Sequence, residues 1–179
     1  MSAFLVGEKL YLRAMERSDA PQVAAWFARA EVRRGTRQYL PRSLSAHEQR
    51  IADGAASAEN IMFGVALRED DRLVGACGLH HIDPRNHSAE LGMVIGDPAD
   101  WGRGLGSEAA RLLIAYGFDT VNLHRLWLEV YEDNPWARKI YETLGFRLEG
   151  TLREHGFREG RWWNLHYMGL LAHEYRAAK

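Results

Sequence analysis

Cysteine is almost missing. Cys77 stands alone in 179 residues, so no intrachain disulfide can form and a reducing compartment is expected. Lysine is nearly as scarce: Lys9, Lys139 and Lys179 stand beside twenty arginines, a skew that codon usage explains without an arginine-specific ligand. A net charge of −1 leaves no global field to gather nucleic acid or hold a membrane surface. No apolar run nears the ~20 residues of a membrane span. Met1 to Glu8 shows no basic region followed by an apolar stretch, so no signal peptide is expected. These absences predict a soluble, cytoplasmic protein. His80, His81, Asp83 and His87 lie close in sequence, but no helix or strand spacing gathers them and the zinc signatures are absent. Surface histidines and no metal are expected.

What is present suffices for one core. Apolar residues make up 46% of the chain, and the length is too short for a second core, so residues 1–179 are expected to form one domain. The chain is organised around Asp100-Trp101-Gly102-Arg103-Gly104-Leu105-Gly106-Ser107-Glu108-Ala109. A strand-like run, Ala89 to Ile95, enters it through Gly96-Asp97-Pro98. A helix-like run leaves it toward Phe118, with Leu105, Ala109, Leu112, Leu113 and Tyr116 on one face. Three glycines in five residues allow a tight backbone and a close approach by a ligand, since no Cβ intervenes. The helix that begins there leaves its first N–H groups unpaired at the positive end of its dipole. Together these make an anion cradle suited to a phosphate or diphosphate.

The absence of a lysine after these glycines excludes a P-loop. Gly104-Leu105-Gly106-Ser107-Glu108-Ala109 does satisfy the dinucleotide pattern G-x-G-x-x-A. That fingerprint follows its strand in a tight turn, however, and here Gly96 to Arg103 intervene.

Along the chain, a strand is predicted over Leu10–Arg13. Ser18-Asp19 and Pro21 then start a helix with Val23, Trp26, Phe27 and Ala30 along its buried stripe. Arg33 to Arg42 reads as a basic loop. Ser45 with Glu48 forms a capping-box signature for a helix to about Ala58, weakened by Gly54. Strands over Ile61–Leu67 and Leu73–His80 make a hairpin, and His81 to Ser88 is a loop. Arg125 to Val130 alternates, with Leu126, Leu128 and Val130 on one face. Asn134-Pro135 begins a helix striped by Ala137, Ile140, Tyr141 and Leu144 and stopped by Gly145. A strand covers Arg147–Arg153, and a turn at Glu159-Gly160 leads to a last strand, Trp162–Leu171. The more apolar face of that last strand is Trp163, Leu165, Tyr167, Gly169 and Leu171. This order predicts an α/β (α+β) fold: one mixed, mostly antiparallel sheet with helices on both faces.

The run Gly-Arg-Gly-Leu-Gly-Ser-Glu-Ala, followed after a strand by Asn134-x-x-Ala137-x-x-x-Tyr141-x-x-Leu144-Gly145-Phe146, resembles the GNAT superfamily of acetyl-CoA-dependent N-acetyltransferases. The nearest branch is the RimJ/RimL type, similar to ribosomal-protein N-terminal acetyltransferases. One departure is Trp101, where the family usually has Gln or Arg. The resemblance implies acetyl-CoA as co-substrate, held by Val94, Ile95, Trp101, Gly102, Arg103, Gly104, Leu105, Gly106, Ser107, Asn134 and Ala137. It also implies Glu90 as general base and Tyr141 as proton donor to the departing sulfur. The residues themselves leave other readings open: a surface glutamate, a core tyrosine, and Asn134 as a plain N-cap. The implied acceptor pocket is Trp26, Arg33 to Arg42, His80 and Arg153 to Trp163. The expected acceptor is an amine, foremost a protein or peptide N-terminus lined by Arg158, Arg161, Trp162 and Trp163, with a homodimer as a further expectation. A polyamine or aminoglycoside acceptor, and a non-catalytic CoA-binding module, remain alternatives.

Overall fold

The structure, a computed structural model, describes residues 2–36 and 38–179. Among them one sheet joins eight strands: β1 (Leu5–Val6), β2 (Leu10–Ala14), β3 (Ile61–Leu67), β4 (Leu73–Asp83), β5 (Ser88–Ile95), β6 (Arg125–Tyr131), β7 (Arg147–Arg158) and β8 (Arg161–Leu171). The spatial order is β1-β2-β3-β4-β5-β6-β8-β7. Every neighbouring pair is antiparallel except β5 and β6, in agreement with the mixed, mostly antiparallel sheet expected.

Alternation along the strands sends successive side chains to opposite faces and builds two unequal cores. Leu10, Leu12, Val65, Leu79, Leu91, Leu126 and Leu128 share the first face with Leu105, Ala109 and Leu113 of α4 (Leu105–Ala115) and with α5 (Pro135–Thr143). Each such leucine contributes about 1.5–3 kcal/mol when fully buried, so this side dominates stability. The second face is smaller. Leu73 packs there with Val23 and Trp26 of α1 (Ala20–Ala28) and Val32 of α2 (Ala30–Arg34). Helix α3 (Leu44–Ala56) lies beside α1, and Met62 presses on Gly54 so closely that a Cβ there would stand 2.5 Å from the Met62 sulfur. Helix α6 (Ala172–Ala177) ends the chain.

Several local expectations are corrected. The helix predicted to run through Ala30 breaks at Arg29, whose backbone is extended (ψ 129°), and Val32 takes the buried place assigned to exposed Ala30. Asp19 does not cap α1. Its carboxylate turns inward to a two-bond pair with Arg13, both contacts 2.8 Å. The cap of α3 is Ser43 rather than Ser45, since the Ser43 Oγ accepts the Ala46 N–H at 3.2 Å. The helix after the glycines is α-helical only to Ala115 and continues as a wider π turn over Tyr116–Thr120. On β8, Leu170 lies opposite Leu126 and Met168 opposite Leu128, so these two face α4. The residues predicted to form its apolar side point the other way, where Tyr167 stacks on Trp127 at 5.5 Å.

One feature of the pairing positions the site. Strands β5 and β6 are in register only at Ser88 and Arg125, Ala89 and Leu126, and Glu90 and Trp127. Strand β4 still accompanies β5 to Ile95, and β8 accompanies β6 to Tyr131. Beyond Glu90 and Trp127 the two middle strands therefore part, and the sheet is open through its centre.

Candidate active site

The parting of β5 and β6 opens into a cavity of about 520 Å³. Met93 and Val94 line it from β5, Glu129 and Tyr131 from β6, and Asn134, Ala137 and Tyr141 from α5. On the second face the cavity extends past Glu90, His80 and His81 to Gln38, Arg42 and, on α3, Arg50. Glu90, Tyr141, Val94, Asn134 and Ala137, far apart in sequence, thus share one space.

Glu90 is only 3% exposed, yet it borders this cavity. It alternates with the core residues Ala89 and Leu91 and so faces the second side. His81 Nδ1 lies 2.9 Å from the Glu90 Oε2. The segment expected to be a loop from His81 is strand to Asp83, with a bulge between His80 and Asp83 and a left-handed His81 (φ 50°). The bulge aims the His81 ring at Glu90 and lays it over Trp127, with centroids 6.4 Å apart. His81 is exposed, as expected for a surface histidine, but it is also the partner of the buried carboxylate. No local signal in the sequence announces that bulge.

Tyr141 is buried on the first face, and burial pushes its hydroxyl up to about 12, with a smaller contribution from nearby Cys77. That hydroxyl has no hydrogen-bond partner among the described residues. Burial likewise pushes the Cys77 thiol up to about 12, which leaves it protonated and a poor nucleophile. Asn134 caps α5, its Oδ1 accepting the Ala137 N–H at 3.1 Å.

The glycine loop lies beside the cavity rather than in its wall. Gly102 (φ 76°) and Gly104 (φ 82°) take left-handed backbone, which accounts for glycine at both. The space around them is open: a Cβ on Gly102 would meet nothing within 4 Å. Gly106 would meet only ordinary contact with Ile95, at 3.7 Å. The first hydrogen bond of α4 runs from the Glu108 N–H to the Gly104 carbonyl, 3.1 Å, so the N–H groups of Leu105, Gly106 and Ser107 have no helical acceptor.

Buried Asp100 pins this loop. It accepts two bonds from Arg72, at 2.8 and 3.0 Å, and one from Arg103 at 2.6 Å. The Arg72 bonds, aided by Arg103, hold its carboxyl below the usual range. The Arg103 side chain is therefore engaged within the protein. The Trp101 indole donates to the Ile95 carbonyl at 2.9 Å and stays 46% exposed. Ser107 borders a second, shallower depression of about 250 Å³ between α4 and α5, with Arg111, Trp136 and Lys139.

The expected acceptor pocket assembles only in part. His80, Thr36, Gln38 and Arg42 reach the cavity, and Arg37 lies outside the described residues. Trp26 does not reach it. Trp26 is 1% exposed and fills the space above Gly96, where a Cβ would stand 1.9 Å from the ring. Arg153 to Trp163 of the β7–β8 hairpin stay outside the wall as well, although Leu165 of β8 lines the cavity. Arg158 ties it to Asp133 at 2.8 Å and to the Arg34 carbonyl, and lies 3.7 Å over the Tyr131 ring. Arg161 covers Trp163 at 3.3 Å, and Trp162 leans on Phe157 at 5.1 Å.

The site is a sheet parted between its one parallel pair, with a glycine-opened helix beside the gap. It does not fit a dinucleotide fold, because a 3₁₀ turn (Pro98–Asp100) separates β5 from α4. The chain belongs to the acetyltransferase (GNAT) domain family, which is matched over residues 9–147. It is an acetyl-CoA-dependent acyltransferase of the N-acetyltransferase type. It is similar to the uncharacterized N-acetyltransferase p20 of Bacillus licheniformis, 33% identical over 174 residues, 96% of this chain and 97% of that one. A Bacillus subtilis relative named provisionally as a ribosomal N-acetyltransferase is 28% identical over 179 residues, 97% of each chain. The spermidine N-acetyltransferase of Vibrio cholerae, solved in complex with CoA and spermine, superposes with a TM-score of 0.86. It is 27% identical, over 95% of this chain and 99% of the other. No described helix is long and apolar enough to cross a membrane.

Proposed function

We propose that the parted strands hold acetyl-CoA and a primary amine on opposite sides of the sheet, and that the amine attacks the thioester directly. The observation that carries this reading is the shared cavity of Glu90 and Tyr141. The N–H groups opening α4 take the diphosphate, and the backbone of Trp101 to Ser107 rather than the Arg103 side chain makes the cradle. The edge of β5 that faces β6, unpaired from Leu91 to Ile95, offers amide groups to the CoA arm. Glu90 accepts the proton from the attacking nitrogen as the N–C bond forms. The C–S bond then breaks, and Tyr141, protonated at neutral pH, donates to the sulfur. With Cys77 locked as a thiol, no acyl-enzyme is required. A cavity-facing Tyr141 and a buried Glu90 favour catalysis over a CoA-binding module without activity.

For the acceptor we favour a peptide N-terminus, in keeping with the RimJ/RimL resemblance. Arg42 and Arg50 stand on the acceptor side, where a polycation would be repelled. The second reading is a polyamine, supported by the spermine-bound relative and by two carboxylates, Glu90 and Glu129, in the cavity lining. The deciding experiment follows free thiol release from acetyl-CoA with short peptides, spermidine and an aminoglycoside. Turnover of the small amines with every peptide unmodified overturns the peptide reading, and no thiol release with any amine overturns acetyl transfer.

A further inference from the structure

We infer that Arg42, Arg50 and Gln38 form an anion subsite in the acceptor arm of the cavity, and that the amine acceptor carries a carboxylate. The inference deepens the reading above and rests on its placing of the acceptor on the Glu90 side. All three residues line the cavity. Other inward-facing arginines of this chain meet carboxylates, Arg13 at Asp19, Arg72 and Arg103 at Asp100, and Arg158 at Asp133, while Arg33 and Arg68 donate to backbone carbonyls. Neither Arg42 nor Arg50 pairs with a carboxylate among the described residues. The Arg50 Nη1 donates instead to the Gln38 Oε1 at 3.1 Å. That bond leaves the Gln38 amide nitrogen as a donor, and it is buried without a partner among the described residues.

Glu90 and Glu129 line the same cavity, but the charges that act on Arg50 and on His47 are positive. Removal from water, and then Arg42 beside it, lower the Arg50 guanidinium from its ordinary value. Burial, and then the same two arginines, lower His47, which stacks on Phe27 at 6.0 Å. This wall presents donors and uncompensated cations, so an anion is what relieves it. Planar guanidinium groups with an amide N–H suit a carboxylate. The subsite lies at α3 on the face that carries Glu90, whereas the phosphate cradle opens α4 on the other face. The anion therefore belongs to the acceptor and not to CoA. Its carboxylate can come from an acidic residue near a peptide N-terminus or from a free amino acid.

The test measures kcat/KM by thiol release for matched acceptors. These are peptides with Asp against Asn, or Glu against Gln, at the first three positions, and free amino acids against their amides. The acid member of the preferred pair should exceed its amide by about tenfold, as expected for a hydrogen-bonded charge. The ratio should fall toward one in Arg42→Gln and Arg50→Gln, partly return in Arg50→Lys, and leave the KM for acetyl-CoA unchanged. Which pair responds identifies the source of the carboxylate. Equal rates for acid and amide, a ratio that survives both substitutions, or a raised KM for acetyl-CoA alone overturns the subsite. If no amine turns over, acetyl transfer itself fails, and calorimetry of the acidic peptide with the unaltered protein and Arg42→Gln still decides the subsite. Thermal melting of each variant separates lost binding from lost folding.

Discussion

Glu90 and Tyr141 stand on opposite faces of one sheet and reach the same cavity only because β5 and β6 part immediately after Glu90 and Trp127. A sheet paired along its whole length would keep the two side chains insulated from each other.

Tyr141→Phe should lower kcat by ~10²–10⁴-fold with little change in the KM for acetyl-CoA, because a proton donor to the sulfur acts in the transition state. Burial pushes the hydroxyl up to about 12, so it stays protonated and kcat should not fall between about pH 8 and 10 through its loss. An alkaline decline of kcat in that window that Tyr141→Phe removes would contradict this. A variant that melts early with kcat intact would make Tyr141 a core residue.

Glu90→Gln should lower kcat/KM most at low pH, and the loss should shrink as pH rises and the acceptor amine deprotonates by itself. A loss of constant size across the pH range would point to a structural part for Glu90. His81→Ala should produce a milder version of the same profile, since His81 holds Glu90 at 2.9 Å without bordering it on both oxygens.

The two kinds of glycine in the loop should respond differently. Gly104→Ala forces a side chain into left-handed backbone and should cost about 1–2 kcal/mol as well as CoA affinity. Gly106→Ala sits in helix with ordinary contacts and should leave stability equal or higher. Should its CoA affinity nevertheless fall, measured by calorimetry, the ligand approaches that Cα closely. Unchanged affinity in both variants would place the diphosphate elsewhere.

Acid should weaken the fold through Asp19 and Asp100. Burial alone would raise Asp19, but Arg13 and the Glu16 N–H outweigh it and hold it below the usual carboxylate range. Asp100 is held down chiefly by Arg72. Both folded values lie below the unfolded one, so the unfolded chain takes up protons first. Their contribution is present above about pH 4 and is lost as pH falls through the folded values. Asp19→Asn leaves buried Arg13 uncompensated, should cost about 3–5 kcal/mol at neutral pH, and should flatten the acid limb of a denaturant-midpoint profile. A steep acid limb surviving that change would refute the assignment.

Much of the molecule is written in local pattern. The alternation Leu126, Leu128, Val130 and the stripe Leu105, Ala109, Leu113 determine a strand and a helix by periodicity alone. Gly102 and Gly104 mark left-handed backbone, and Asn134-Pro135 marks a helix start, because each residue type is suited to one local geometry. Those signals, with the resemblance they carry, determined the sheet, its helices and the acetyltransferase class. Other features depend on partners distant in sequence. Ser18-Asp19 reads as a helix start, but Arg13 is a stronger partner for that carboxylate than the helix N–H groups. His81 reads as a loop histidine because nothing local records the bulge that turns it onto Glu90. The pattern of β8 does not tell its core face from the other, because both faces are covered, one by α4 and the other by Trp127. The register of β5 against β6, and hence the cavity, was decided by tertiary structure alone. Parting two strands is a relation between chain segments thirty-odd residues apart, and local periodicity carries no information about where such a pairing stops.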